Sequence, residues 1–303
     1  MLTVEQIEQA LFQLAPKELA FDWDNVGHLE GDPAQEVQRV LVALDVTEDV
    51  VTEAETLGCQ LIVSHHPLMN VRWHEREMQT LRPDRYLGHL LRRLVKANLS
   101  VISMHTNLDI APGGVNDALA EALRIEDPGP LPGDESRLCR VGRLQNPVKL
   151  SDFATTVCKA LGANGVRYAG NCPVQNVALG GGACGEYIDT VIAAGCDTFV
   201  TSDLTYHQFL DAVPKGINLI DAGHFPTEDP VCTKLITYLE KEFPQLIISK
   251  SASHKEAIQY FVEGEEQLCP DILIGIIFRK PRARLTQSVP LHSPKLQKRS
   301  LWP

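Results

Sequence analysis

The chain repeats itself, and the repeat limits what it can fold into. Residues 39–67, RVLVALDVTEDVVTEAETLGCQLIVSHHP, and residues 176–204, NVALGGGACGEYIDTVIAAGCDTFVTSDL, follow one plan. Each has an apolar strand, a polar or glycine-rich turn, an amphipathic helix, a Gly-Cys stop and a second apolar strand. GCQLIVSHH (58–66) aligns with GCDTFVTSD (195–203) without a gap. These are two βαβ units. Each is followed by a further helix and strand, RYLGHLLRRLVK then LSVISMH, and YHQFLDAVPKG then INLIDAGH. The expectation is an α/β fold made of duplicated halves, with mixed sheets flanked by helices. Ligands in such folds collect beyond the carboxyl ends of the strands. That rule sends His65, His66, His105, Asp203 and His224 to one edge, between the halves.

The boundaries read from the sequence are 1–125 for the first half, 126–262 for the second, and 263–303 for a poorly ordered tail. The tail is proline-rich and basic, and IGIIFRKPRARLTQSVPLHSPKLQKRSLWP contains no acidic residue. At the other end, MLTVEQIEQALFQLAP reads as a helix with a Thr3–Gln6 capping box rather than a secretory leader. No stretch approaches the roughly 18 apolar residues of a membrane span. The eight cysteines are scattered without a C-x-x-C pair, which suits small buried side chains in a reducing, cytoplasmic setting. A net charge of -11 argues against nucleic acid as the main partner.

The chemistry gathers at the strand ends. Adjacent His65 and His66 close one strand, and Pro67 turns the chain away. His105 and Asp109 lie just past another, and His224 and Glu228 past a third. Asp229-Pro230 opens the following helix, so Glu228 is expected on a constrained turn. Singly, each has an ordinary structural explanation: a solvated histidine, an Asx turn, a carboxylate favouring a helix N-terminus. Together, imidazoles and carboxylates converge from both halves, with too many ligands for one tetrahedral zinc. They suit two ions about 3.5–4 Å apart with a bridging carboxylate and water, adjacent histidines diverging to serve different ions.

Other residues invite two readings. His207, in SDLTYH, is read as substrate-facing or proton-transferring. Asp203 either orients a ligand imidazole or caps a helix. GGGACG (180–185) either receives phosphate on backbone amides or serves packing. Trp23 and Asp24 are read as packing and turn residues, and Arg72 and His74 as part of a cavity rim.

The motifs WDNVGHLEGDP (23–33), SHHP (64–67), HTNLD (105–109), CRVGRL (139–144), VALGGGACGEYI (177–188), FVTSDLTYH (199–207) and DAGHFPTE (221–228) stand in one order across roughly residues 1–260. In this the chain resembles the dinuclear-metal-centre, hexameric proteins named GTP cyclohydrolase 1 type 2 homologues. The resemblance implies metal ligands at His65, His66, Asp109, His224 and Glu228, with Glu228 bridging. It implies two divalent ions (Zn, Fe, Mn, Ni or Co) and a toroidal homohexamer with inward-facing sites. His28 departs from the apolar residue more usual at its position.

The implied activity is metal-dependent hydrolysis of a small nucleotide, with formate released from GTP and His207 and Glu228 as catalytic groups. A two-metal nucleotide phosphoesterase and a non-enzymatic metal-binding assembly stay open beside it.

Overall fold

The computed structural model describes residues 2–69 and 80–261. The tail from 263 and the Arg72–His74 rim lie outside the described residues.

The first sheet is built around β2 (Arg39–Ala43), β3 (Leu61–Ser64) and β4 (Ser100–Ser103), which are parallel, with α2 (Glu48–Leu57) and α3 (Tyr86–Ala97) as crossovers. β1 (Gly27–Glu30), which follows α1 (Val4–Leu14), pairs antiparallel with β4 at one edge. The chain continues through α4 (Thr106–Ile110) and α5 (Val115–Ala122) into the second sheet. There β5 (Glu126–Pro130), β6 (Arg140–Val148), α6 (Leu150–Ala160) and β7 (Arg167–Ala169) precede the second copy of the unit. That copy is β8 (Val174–Leu179), α7 (Ile188–Ala193), β9 (Thr198–Thr201), α8 (Tyr206–Lys215) and β10 (Asn218–Asp221). α9 (His224–Glu228), α10 (Pro230–Glu242) and β11 (Ile247–Lys250) complete the described chain.

The strand orders are β1-β4-β3-β2-β11 and β5-β6-β8-β9-β10-β7. Each sheet has a parallel centre and at least one antiparallel edge, so both are mixed. The repeat survives in register: β2 and β3 pair Val40 with Leu61, and β8 and β9 pair Val177 with Thr198. Gly58 and Gly195, the two Gly-Cys stops, take φ of 66° and 79°, the left-handed turn after a helix that glycine adopts without strain.

Strands buried on both faces explain the near-continuous apolar runs. Along β2, Val40 and Val42 pack with Ile7, Leu11 and Leu235, while Leu41 and Ala43 pack with Val50, Ala54 and Leu90 on the other face. The predicted Thr3–Gln6 capping box is present on α1.

Two features depart from the sequence reading. After α9 the chain returns to the first sheet: β11 pairs parallel with β2, and α10 buries Val231, Cys232, Leu235 and Leu239 in the first core. Residues 230–250 therefore complete the first layer, and the 126–262 boundary does not follow the sheets. Glu228 is also not on a turn. It ends the short helix α9, with Pro230 opening α10, and Asp229 bonds the Lys250 ammonium at 2.6 Å instead of capping the helix. Among the described residues, no helix is long and apolar enough to cross a membrane.

Candidate metal centre

Three strand ends, from the parallel centres of both sheets, deliver the cluster. β3 stops at Ser64, and the amides of His65 and His66 both donate to the Leu44 carbonyl, at 3.1 and 2.9 Å. The alternation of a strand therefore lapses at the pair. The two rings lie 4.9 Å apart and incline by 48°, and both turn toward Glu228 rather than to opposite sides. The expected divergence is corrected to a shared aim.

β4 and β10 each run into a short helix, and each helix carries a carboxylate four residues beyond a histidine. These pairs are His105 with Asp109 and His224 with Glu228. One helical turn places both members on the same side. The Glu228 Oε2 lies 3.0 Å from His66 Nε2, 3.2 Å from His224 Nε2 and 3.9 Å from His65 Nε2. Asp109 Oδ1 is 3.5 Å from His65 Nε2. His105 joins from behind, its ring 5.1 Å from that of His65.

The far nitrogen of every one of these imidazoles is committed. His65 Nδ1 bonds the Met104 carbonyl at 2.8 Å, His66 Nδ1 bonds Asp45 at 2.7 Å, His105 Nδ1 bonds Asp24 at 2.8 Å, and His224 Nδ1 bonds Asp203 at 2.6 Å. A carbonyl or carboxylate oxygen only accepts, so each Nδ1 carries the hydrogen. In the neutral ring the lone pair then sits on Nε2, facing the cluster. This is how outer partners hold metal-ligating histidines.

Three buried atoms, His65 Nε2, Asp109 Oδ1 and Glu228 Oε2, have no hydrogen-bond partner among the described residues. Buried polar atoms are normally paired, and leaving them unpaired is costly. A cation between them would satisfy all three. The donor atoms form three overlapping groups, each within 4.8 Å: His65 with His66 and His105, His66 with His224 and Glu228, and His65 with Asp109 and Glu228. The last two share only Glu228. The donor set therefore fits a metal.

Electrostatics says the same. Burial resists ionisation of Glu228, but the charges of His224 and His66 overcome it and hold the carboxyl well below its usual range. Burial also resists protonation of His66 and His224. Glu228, with Asp45 behind one ring and Asp203 behind the other, outweighs it and pushes them up to about 10 and about 11. Asp109 moves up, because burial outweighs the attraction of His65 and His105. Protons and cations compete for the same lone pairs.

The cluster floors a cavity of about 370 Å³ whose walls include Phe21, Trp23 and Tyr187. All five predicted ligands meet here, His105 joins them, and Asp203 orients an imidazole while Thr205 caps α8.

His207 is not brought in. It is exposed on the first turn of α8, edge-on to Tyr206 at 5.3 Å. His28 lies within β1 opposite Ile102, outside the cavity wall. The GGGACG turn is not a phosphate cradle. Its Gly181, Gly182 and Cys184 amides already donate to Asn116, Thr227 and Thr201. Its glycine makes room instead, since a Cβ at Gly182 would fall 2.2 Å from Glu228 Oε1.

Asp24 is more than a turn residue. Burial raises its pKa, yet His105 and Thr106 win and hold it at about 2. Asp45 and His254 were not singled out in the sequence. Asp45 ends a predicted strand and falls under the strand-end rule. His254 had no local signal.

The chain matches the Duf34/NIF3 (NGG1p interacting factor 3) family over residues 2–256. A Clostridium perfringens protein named GTP cyclohydrolase 1 type 2 homolog is 32% identical over 261 residues, covering 83% of this chain and 97% of the relative. A Streptomyces coelicolor protein of the same name is 37% identical over 243 residues, covering 77% and 84%. A crystal structure of a Staphylococcus aureus hypothetical protein superposes with a TM-score of 0.77 at 29% identity, covering 86% of this chain and 99% of that one. A match over nearly all the described residues, at these identities, makes this chain a member of the Duf34/NIF3 family.

Proposed function

We propose that the protein is a metal-dependent hydrolase holding two divalent cations, with a nucleotide as substrate. One observation carries the reading: three imidazoles, His65, His66 and His224, each fixed at Nδ1, turn Nε2 toward one buried carboxylate, with His105 beside them. His65, Asp109 and Glu228 would hold one cation, and His66, His224 and Glu228 the other, with Glu228 shared between them and His105, grouped with His65 and His66, as a further donor. Two such cations would lower the pKa of a bound water toward about 7 and polarise the bond it attacks. The chain's own part is orientation. Asp45, Asp24, Asp203 and the Met104 carbonyl keep the rings in one tautomer, and the aromatic walls favour a flat ring.

The names of the relatives suggest GTP, with attack at the guanine ring and loss of formate. The walls support ring chemistry, since they carry Phe21, Trp23 and Tyr187 and no Lys or Arg among the described lining residues. A phosphoesterase is the second reading, favoured by the His and carboxylate donor set itself. His207 lies outside the cavity of its own chain, so its proton-transfer role is not supported within one protomer.

Incubation of metal-loaded protein with GTP, following formate and phosphate separately, tests this. Formate release that vanishes in Glu228→Gln supports the cyclohydrolase reading. Phosphate without formate supports the phosphoesterase. Neither product with Zn, Mn, Fe, Ni or Co leaves a metal-binding assembly as the function. The homohexamer belongs to the same proposal, and light scattering that finds a stable monomer overturns that part.

A further inference from the structure

We infer that His254, carried on the segment after β11, is a positioning residue for the candidate metal centre: it holds Asp45 in the orientation that fixes His66. The inference rests on the metal-binding reading above.

Asp45 uses its two oxygens on two rings. Oδ1 accepts from His66 Nδ1 at 2.7 Å, and Oδ2 accepts from His254 Nε2 at 2.9 Å. The comparison with Asp24, which supports His105, shows why the second bond matters. The Asp24 side chain is 1% exposed and its second oxygen is pinned by the Thr106 amide at 2.9 Å. The Asp45 side chain is 40% exposed, and His254 pins its second oxygen. A half-exposed carboxylate with one bond can rotate into solvent, and His66 would lose its fixed ring.

His254 is itself held. Its ring meets Phe225 edge-on at 4.9 Å and 87°, and its amide donates to Ser251 Oγ at 3.2 Å. The segment is anchored on both sides of it. Before His254, the Glu53 carboxylate accepts from the Ala252 and Ser253 amides at 2.9 and 3.1 Å and from the Ser251 hydroxyl at 2.6 Å. After it, Asn164 Nδ2 donates to the Ile258 carbonyl at 2.8 Å. A strap running from α2 to the loop after α6 thus seats one imidazole behind the cluster. Retention of metal is coupled to a segment that contributes no donor of its own to it.

The test is the rate at which zinc-loaded protein loses zinc to an excess of a coloured chelator, read beside circular dichroism and Tm. His254→Phe keeps the ring against Phe225 and removes the nitrogen. It should speed zinc loss about tenfold, the low end for outer partners of metal ligands, with little change in Tm. His254→Gln, whose amide can donate to Asp45, should restore most of the retention. In an Asp45→Asn background, His254→Phe should add nothing further. A lower Tm with unchanged zinc loss overturns the inference, as does equal acceleration in the Gln and Phe variants. Zinc held normally by His254→Phe removes this role alone. Wild-type protein that binds no zinc or other divalent metal removes the proposed function and this inference with it.

Discussion

The ends of β3 and β9 occupy equivalent places in the repeat but do opposite work. After β3 come His65 and His66, both aimed at the cluster. At the aligned positions after β9 come Ser202 and Asp203, and Asp203 stands behind His224 instead of joining it. The next strands keep their chemistry, each followed by a histidine and a carboxylate one turn later. Duplication therefore set the positions, and substitution divided the labour. The first half presents donors from two strand ends, the second from one, with the other turned into a support. Depth differs as well: His65 is fully buried, whereas the His224 side chain is 38% exposed. The first half forms the back of the centre and the second its open side.

Glu228 is where the halves meet, and removing it should have the largest effect. It belongs to both donor groups that would hold separate cations. Glu228→Gln should abolish metal binding on both sides, whereas losing any one histidine should lower it without abolishing it. Elemental analysis of purified variants decides the matter. Full metal content in Glu228→Gln would mean that the halves hold their ions independently.

His65→Ala and His224→Ala sharpen the contrast in depth. Both should lower metal content. His65→Ala should also destabilise the metal-free protein through packing, because it opens a cavity and leaves the Met104 carbonyl without its partner, a cost of about 1–3 kcal/mol. His224→Ala opens no cavity at its half-exposed place, but it takes from the buried Glu228 carboxylate the largest charge that holds it ionised, so its loss should come through Glu228 and disappear once Glu228 is also changed to Gln. Denaturant titration of the chelated proteins measures both. A His224→Ala loss that persists in the Glu228→Gln background would contradict the back-and-front assignment.

How far all this could be read in advance depended on distance along the chain. The repeat showed through because strand, helix and glycine stop are local patterns, and the strand-end rule then gathered the donors. The supports were harder. Asp203 and Asp45 end predicted strands, but which carboxylate faces which ring is decided by how the sheets meet. His254 reaches Asp45 from more than two hundred residues away along the chain, through a strap with no periodicity. The return of α10 and β11 to the first sheet has the same origin: amphipathic patterns say that a face must be covered, and not by which layer.

The supports should rank by exposure. Asp24→Ala removes a buried carboxylate that holds both His105 and Thr106, and should weaken metal binding toward 100-fold. Asp203→Ala removes a half-exposed one and should cost nearer tenfold. Competition against a chelator of known affinity gives the two numbers. The reverse order would show that the open side, not the back, governs affinity.

The last contrast is with a carboxylate that lacks what Glu228 has. Glu30, in β1, has a buried Oε2 with no hydrogen-bond partner among the described residues, and burial raises its pKa from the usual 4.5 to about 7. Glu228, also buried, moves the other way because imidazoles face it. The sign of the linkage follows. Between pH 4.5 and 7 the unfolded chain has released the Glu30 proton and the folded chain still holds it. Stability therefore falls as pH rises through that window and stays lower above it. The full shift corresponds to roughly 3 kcal/mol, but Glu30 is only half buried and solvent screens it, so about 1–2 kcal/mol is the expected size. Glu30→Gln should match wild type near pH 4 and exceed it by that amount at pH 8, a rise in Tm of a few degrees for a chain of this length. Thermal melts of both proteins across pH 4–8, taken with chelator so that metal binding does not intrude, measure the difference. A gap that stayed constant with pH would mean that Glu30 is ionised throughout, and that burial alone does not separate the two carboxylates.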